Sequence, residues 1–354
     1  MVEYKLYGDV AQLAEHSVRI RKVKSSNLSI STKLFNQEDY IMSLKKFIDT
    51  ALCKPEEGDT VEYFNLKGRV SGNVLTNATG IPAGGYNYEA DITKFWAEFK
   101  KLKSEVDYPL SFNTLMLRVL AEGLKVAPRL NSHLDYKRRS SCGRLIVKKH
   151  IDVAVPVFME SGETFPVKLR HLEGKNLKEI YEEMDRLLTV LKTTDIDRVL
   201  FDVIAQRIIG FVLKGKIATA ISMAASGYIG KYKVAKISGL FKHAPRDPEK
   251  SLQPYELNEG TVCLTNLGSI SAGLPGNVTY APILYPQSFI MAIGAVQDRE
   301  YVFKNDKGEI EIGIKKMLPV NIMFDHRIGG FGDIVPFLKT INNIFENPEI
   351  IREW

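Results

Sequence analysis

The stretch Met317-Leu318-Pro319-Val320-Asn321-Ile322-Met323-Phe324-Asp325-His326-Arg327-Ile328-Gly329-Gly330 decides how the rest of the chain is read. Its first eight residues form a strand-like apolar run. The run ends in a histidine between an acid and an arginine, and two glycines follow. A histidine placed there can face a cleft while the strand anchors its backbone. Imidazole titrates near neutral pH, so His326 suits general-base work. A hydrogen-bonded polar strand end is the competing reading, and position alone does not separate the two.

Downstream, Ile334, Val335, Phe337, Leu338, Ile341, Ile344 and Phe345 share one helical face, with Asp333 as the expected N-cap and Pro336 in the first turn. Upstream, Tyr301-Val302-Phe303, a turn at Asn305–Gly308 and Glu309–Ile314 read as a hairpin separate from the Met317 strand. Two further strands are expected at Thr261–Gly268 and Pro286–Val296. Cys263 sits in the first and reads as a buried small hydrophobe rather than a nucleophile.

The first half alternates helix and strand signals. Met42–Pro82 is mixed, with short apolar pieces broken by Gly, Asn and Thr; Tyr86–Ile92 alternates as a strand. Asp91-Ile92-Thr93 opens a helix with Phe95, Trp96, Phe99 and Leu102 on its core face. Ser111 caps a second helix that ends at Pro128, before Arg129-Leu130-Asn131-Ser132-His133. Strands follow at Arg144–Val147, Ile151–Phe158 and Phe165–Leu169; His150 borders them and reads as structural. Gly174–Lys192 holds a 3.6 period from Leu177 to Leu191. The acids on its other face lack a histidine, so they read as a solvated face, and no metal is expected. Residues 196–255 form an apolar helical insertion, broken at Lys214-Gly215-Lys216, that packs on its own domain or on a neighbouring subunit. Membrane-surface contact through 196–239 stays open as an alternative.

The chain has 354 residues, 45% hydrophobic and 25% charged, which is a globular composition. Its net charge of +6 is diffuse. That suits an anionic small molecule and argues against nucleic acid. Lys137-Arg138-Arg139, the densest basic cluster, reads as a solvated loop. Three cysteines, Cys53, Cys142 and Cys263, lack metal-ligand spacing and point to a reducing, cytoplasmic setting. No signal-peptide pattern or membrane-length apolar run is visible. Residues 1–41 lack apolar periodicity and resemble the conceptual translation of a transfer-RNA gene. They are expected to be a disordered arm or a mis-assigned extension, with Met42 as the start of a single catalytic domain over 42–354.

Taken in order, Ser111-Phe112-Asn113, Pro128-Arg129-Leu130-Asn131, Asp152–Val157 with Pro166-Val167, Thr265-Asn266-Leu267-Gly268, Asp325-His326-Arg327 and the closing Glu346-Asn347-Pro348-Glu349 resemble one known family. This is the catalytic domain of the dihydrolipoamide acyltransferases of 2-oxo acid dehydrogenase complexes, whose fold is shared with chloramphenicol acetyltransferase. The resemblance covers roughly residues 60–354. It implies an α+β fold, a two-layer sandwich with a mixed sheet covered by helices.

It also implies chemistry. His326 would take a proton from a thiol or hydroxyl, which then attacks the thioester of an acyl-coenzyme A without an acyl-enzyme. Thr265, where the family usually has serine, would donate to the oxyanion; a strand threonine packing its methyl is the competing reading. Asp325, Arg327 and Asn266 would support the site. Coenzyme A or acyl-coenzyme A would be a substrate, a small molecule the acceptor, and a homotrimer with inter-subunit sites the assembly. The resemblance leaves the residues that would bind coenzyme A unknown.

Two departures stand out. The family motif has an acid four residues after the histidine, then glycine; here Gly330 and Phe331 stand there. That acid normally pairs with an arginine and holds the histidine loop. Asp333 is three residues late and reads as a helix cap. Second, no lipoyl module or swinging linker is recognised, so no lipoyl group is expected on this chain. A free-standing acyltransferase is the leading expectation. A catalytically degenerate trimer of the same fold, or the core of a complex with a separately encoded lipoyl protein, are the alternatives.

Overall fold

The computed structural model describes residues 55, 57–137, 140–159, 164–229, 247, 249–257, 260–268, 277–304 and 307–354. The expected 1–41 extension, Met42, Cys53, Arg138-Arg139 and much of the second half of the 196–255 insertion lie outside them. The chain divides into Met1–Tyr63 and Phe64–Trp354. The described part of the first unit carries neither helix nor strand.

The second unit opens with α1 (Leu66–Ala78), a helix where the sequence pattern predicts only short, mixed pieces. No residue of α1 is buried, so it has no apolar period to read; the Asn65 side chain caps it, accepting from the Gly68 N–H at 2.8 Å. Strand β1 (Ala83–Asp91) leads into α2 (Thr93–Glu105), and Ser111 caps α3 (Phe112–Val126) by accepting from Thr114 N–H at 3.1 Å. Strands β2 (Ser132–Lys137) and β3 (Cys142–Val147) pair as a separate hairpin; β2 was not expected, because its mostly exposed residues give little alternation.

Next come β4 (Val153–Phe158), β5 (Thr164–Leu169) and α4 (Leu177–Thr193). Asn176 and Glu179 close a reciprocal capping box at the start of α4. Helices α5 (Ile196–Leu213) and α6 (Ile217–Tyr228) follow. The start of α5 buries Val199, Leu200 and Val203, whereas Ile209, Val212, Leu213, Ile217 and Ile221 are exposed. Arg69 of α1 donates to Ser226 Oγ of α6, beside a largely apolar cavity of about 820 Å³ between α1, α5 and α6. Among the described residues, no helix is long and apolar enough to cross a membrane.

The chain ends with β6 (Val262–Asn266), β7 (Phe289–Ile293), β8 (Gln297–Lys304), β9 (Ile310–Asp325) and α7 (Phe331–Glu346). The sheet runs β1-β9-β7-β6-β4-β5, with β8 also on β9. Strands β4, β6 and β7 are parallel; the other pairings are antiparallel. The fold is therefore α+β with a mixed sheet, as expected.

The largest differences from the expected boundaries are in β9 and α7. The hairpin arm and the apolar run are one strand, β9: its first half pairs with β8 and its second lies between β1 and β7. Its burial changes along its length, from mostly exposed to buried on both faces, which reads in sequence as two strands. Helix α7 begins at Phe331, with Gly330 as N-cap and Pro336 inside the helix. Asp333 caps from the third helical position, its carboxylate accepting from Gly330 N–H at 2.8 Å.

Helices α2, α3, α4 and α7 cover one face of the sheet. The main core packs there, with Phe95, Leu120, Phe289, Val320, Ile322, Phe324 and Phe337. A smaller cluster, Ala154, Cys263, Ala281, Ile283, Ile290, Ala292 and Met323, lies on the opposite face. Cys263 is buried, and burial pushes its thiol up to about 12, so it is no nucleophile at neutral pH.

Candidate active site

Strand β9 delivers Asp325 and His326 to one end of the sheet. Asp325 is the last paired residue, opposite Ala83 of β1, and its N–H donates to Ser288 O at 2.8 Å. The His326 N–H donates to Pro82 O at 2.8 Å. The backbone of the histidine is thus held by Pro82, the residue just before β1, while its side chain leaves the sheet.

The ring of His326 is positioned by packing. It lies 5.5 Å from the Phe324 ring and 5.8 Å from the Phe331 ring, the latter edge-on. Gly84 of β1 closes the third side. A Cβ at Gly84 would stand 2.7 Å from Phe324 Cζ and 3.1 Å from His326 Cδ2, inside ordinary contact distance. Among the described residues, no side chain hydrogen-bonds a ring nitrogen of His326. The imidazole is exposed and available at its nitrogens.

Asp325 and Arg327 form a fork rather than a charge partner for the imidazole. Arg327 Nε donates to Asp325 Oδ1 at 2.9 Å and Nη2 to Oδ2 at 2.6 Å, and the Arg327 N–H donates to Oδ1 at 3.0 Å. The Asp325 carboxylate is buried, and its bonds raise the Arg327 guanidinium above its usual range. This pair fixes the turn on either side of His326. The arginine that holds the next part of the loop is Arg129. Its Nε donates to Ile328 O at 3.1 Å, Nη2 donates to the same oxygen, and Nε lies 3.7 Å from Asp333 Oδ1. Asp333 therefore combines the expected cap with an arginine contact, one helical turn beyond Gly330. Sequence reasoning named Arg129 only as part of a motif; its spatial role depends on the α3–β2 connection reaching the β9–α7 loop.

Thr265 is elsewhere. Strand register aligns Thr265 with Ala292, Asn321 and Asn87, and directly paired residues share a face. Their face is the one opposite the main helical layer. The Thr265 row lies four residues before Asp325 and two strands away, roughly 13 Å along the strands and 10 Å across them. His326 and Thr265 of one chain do not meet. Asn266 points to the other face, where its Nδ2 donates to Asn113 Oδ1 at the start of α3 and its Oδ1 accepts from Gly268 N–H at 2.8 Å. It orders the strand end on the helical side and does not share the Thr265 face. Asn321 does share it, donating to Asn87 Oδ1 at 2.6 Å and to Thr279 O at 3.0 Å.

Residues 55–198 and 233–352 match the family model of the 2-oxoacid dehydrogenases acyltransferase catalytic domain. The chain belongs to this family. Residues 199–232, most of α5 and all of α6, fall outside the match. The chain is 25% identical over 298 residues to the chloroplastic dihydrolipoyllysine-residue acetyltransferase component 5 of the pyruvate dehydrogenase complex of Arabidopsis thaliana, covering 83% of this chain and 47% of that protein. It is 24% identical over 266 residues to the succinyltransferase component of the 2-oxoglutarate dehydrogenase complex of Rickettsia typhi, covering 74% and 48%. The chain thus spans about half the length of these curated relatives. Its fold matches a solved dihydrolipoamide acetyltransferase of Azotobacter vinelandii with a TM-score of 0.54 and 18% identity, covering 84% of this chain and 98% of that one.

Proposed function

We propose that this chain is a coenzyme A-dependent acyltransferase in which His326 is the general base. The observation that carries the reading is the presentation of the imidazole, packed by Gly84, Phe324 and Phe331 with both nitrogens unbonded to described residues. His326 takes the proton of an acceptor thiol or hydroxyl. The resulting anion attacks the carbonyl carbon of the acyl thioester and forms a tetrahedral oxyanion. Collapse breaks the carbon–sulfur bond, and the protonated imidazole returns its proton to the departing coenzyme A thiolate. An amine acceptor attacks as the neutral amine, and His326 then takes the proton from the ammonium of the tetrahedral intermediate and passes it to the departing thiolate.

The oxyanion needs a donor, and Thr265 supplies one only if it comes from another copy, since the two residues of one chain are separated by several strand rows. We infer a trimer, or a multiple of trimers, in which the Thr265 face of one subunit meets the His326 end of its neighbour. Thr265 keeps the O–H donor of the family's serine. Coenzyme A enters such a site as substrate and a small-molecule thiol, hydroxyl or amine is the acceptor.

Gly330 favours a second reading, a trimer that keeps the fold without turnover. In the Azotobacter enzyme, a serine, a histidine and an asparagine four positions beyond that histidine were investigated for catalytic roles. The same count from His326 reaches Gly330, which has no side chain to offer. Packing of the ring by Phe331 and anchoring of the loop by Arg129 support the active reading over this one.

The test is a screen of acyl-coenzyme A thioesters, acetyl and succinyl first, with dihydrolipoamide and mixed thiol, hydroxyl and amine acceptors. Free thiol release is followed with a disulfide reagent, or product by mass spectrometry when the acceptor is itself a thiol. Acceptor-dependent transfer supports the active reading. No transfer from any thioester, by a protein that assembles as a trimer, supports the degenerate one.

A further inference from the structure

The antiparallel pairing of β4 with β5 brings the start of one strand beside the end of the other, with Val153 opposite Leu169. The loop entering β4 carries His150. The turn leaving β5 carries His171 and Glu173. Residues 21 to 23 positions apart in sequence therefore meet at one end of the sheet. This end is also reached by His326, but three strands away, roughly 14 Å across the sheet.

We propose that His150, His171 and Glu173 bind a divalent transition-metal ion of the zinc class. One ligand atom from each of the three lies within 4.8 Å of the others. His150 Nδ1 is 2.7 Å from Glu173 Oε1, and His171 Nδ1 is 4.0 Å from the same oxygen. The imidazole rings stand edge-to-face with centroids 4.2 Å apart. Zinc–nitrogen and zinc–oxygen bonds of about 2.0–2.2 Å at tetrahedral angles put ligand atoms roughly 3.3 Å apart. The two observed separations bracket that value, so small rotations of the side chains admit the ion. In binding, the metal takes the place of the hydrogen bond between His150 Nδ1 and Glu173 Oε1, and the neutral imidazole carries its proton on Nε2.

The backbone under the three ligands is fixed in advance. Buried Asn131 donates through Nδ2 to the carbonyls of Lys148 and His150, at 3.1 and 3.0 Å. The Leu172 N–H donates to Ile151 O at 2.9 Å and ties the two loops together. The Ile151 N–H donates to Glu173 Oε2 at 2.9 Å, which occupies one carboxylate oxygen and leaves Oε1 toward the imidazoles. His171 holds a left-handed backbone, φ 54° and ψ 45°, uncommon outside glycine and asparagine, with its N–H donating to Asp152 Oδ1 at 3.0 Å. Of the cations adjacent in sequence, Arg170 lies over the Tyr255 ring at 5.6 Å. Two histidines, one carboxylate and partial exposure to solvent match a zinc site that keeps a position open for water or a further ligand.

The test is independent of acyl transfer. The chelator-stripped full-length protein is titrated with zinc chloride by calorimetry near neutral pH, and its melting temperature is followed with and without zinc. His171→Asn is the principal variant, because asparagine tolerates the left-handed backbone while losing the imidazole. His150→Gln is the second, and Cys142→Ser controls for the exposed thiol. Wild type and Cys142→Ser are expected to bind one equivalent in the micromolar range or tighter, with a rise in melting temperature. Each histidine variant should weaken binding at least roughly tenfold while melting like the metal-free wild type. If wild type shows no saturable binding, or both histidine variants bind zinc as wild type does, the proposal is overturned.

Discussion

Gly84 lies against the ring of His326, so closely that a single methyl group there would sit 3.1 Å from His326 Cδ2 and 2.7 Å from Phe324 Cζ. The glycine is part of the seat of the imidazole. Gly84→Ala should therefore displace the ring as well as strain the β1–β9 pairing. Overpacking of this kind costs about 1–3 kcal/mol of stability, and an ångström's shift of a base costs about a hundredfold in rate. The expected result is a folded protein with a lowered melting temperature and a kcat that falls much further than KM changes. A kcat equal to wild type in the folded fraction would show that the ring does not depend on this contact.

Phe331 stands where the family motif has glycine, and it packs edge-on to both Phe324 and His326 while remaining 48% exposed. Its partial exposure limits what it adds to stability, so its effect should fall on the site. Phe331→Ala is expected to melt within a few degrees of wild type but lose roughly tenfold or more in kcat, since positioning errors weigh heavily on a base. Phe331→Leu, which keeps bulk, should recover part of the loss. Equal rates for all three proteins would remove Phe331 from the account.

Arg129 and Asp333 both reach the loop after His326, where Gly330 offers no side chain. Their 3.7 Å ion pair is well exposed and contributes little by itself. The bonds from Arg129 to Ile328 O and from Asp333 to Gly330 N–H hold the loop directly. Arg129→Ala should thus reduce kcat more than Asp333→Asn, whose amide oxygen still accepts at the cap. Steady-state kinetics of the two variants decide the order; the reverse order would make the ion pair, and not the carbonyl contact, the element that matters.

The inter-subunit site can be tested by complementation. His326→Ala and Thr265→Ala should each be inactive or nearly so when expressed alone. Loss of one oxyanion donor costs about a hundredfold to a thousandfold. Co-expressed, they should form mixed trimers in which one interface joins an intact Thr265 to an intact His326, and part of the activity should return. Mixed assemblies without recovered activity would contradict the shared site.

His133, in β2, offers a prediction about stability. Burial, and then the charge of Lys148, hold its imidazole below its ordinary value of 6.5 in the folded protein. The unfolded chain therefore binds more protons between the depressed folded value and 6.5, and stability rises with pH through that window. The folded state therefore loses stability as pH falls through 6.5 toward the depressed folded value. Urea midpoints of wild type should decline over that range, and His133→Gln should flatten the decline. An unchanged slope in the variant would assign the dependence to other groups.

Much of this was legible in the sequence because it is written in short-range pattern. Ser111 capping α3, the Phe95–Phe99–Leu102 face of α2 and the 3.6 period of α4 all read correctly, since each depends on neighbours within a few turns. The identity of His326 as the residue at the end of a buried strand read correctly for the same reason. Helix α1 did not, because it buries nothing and leaves no period. The unity of β9 was hidden by its change of partners half-way along. What holds His326 could not be read at all: Gly84 is more than two hundred residues away and signals only through the absence of a side chain. The union of His150 with His171 and Glu173 likewise exists only once β4 and β5 pair.

The central claim, that His326 is the base of an acyl transfer from coenzyme A, is tested most directly by one rate. The purified protein is given acetyl-coenzyme A and dihydrolipoamide, formation of the acetylated acceptor is followed, and the same assay is run on His326→Ala. Wild type is expected to turn over, and the variant to lose roughly a hundredfold to ten-thousandfold in kcat with the trimer intact. Turnover by His326→Ala at the wild-type rate would contradict the claim.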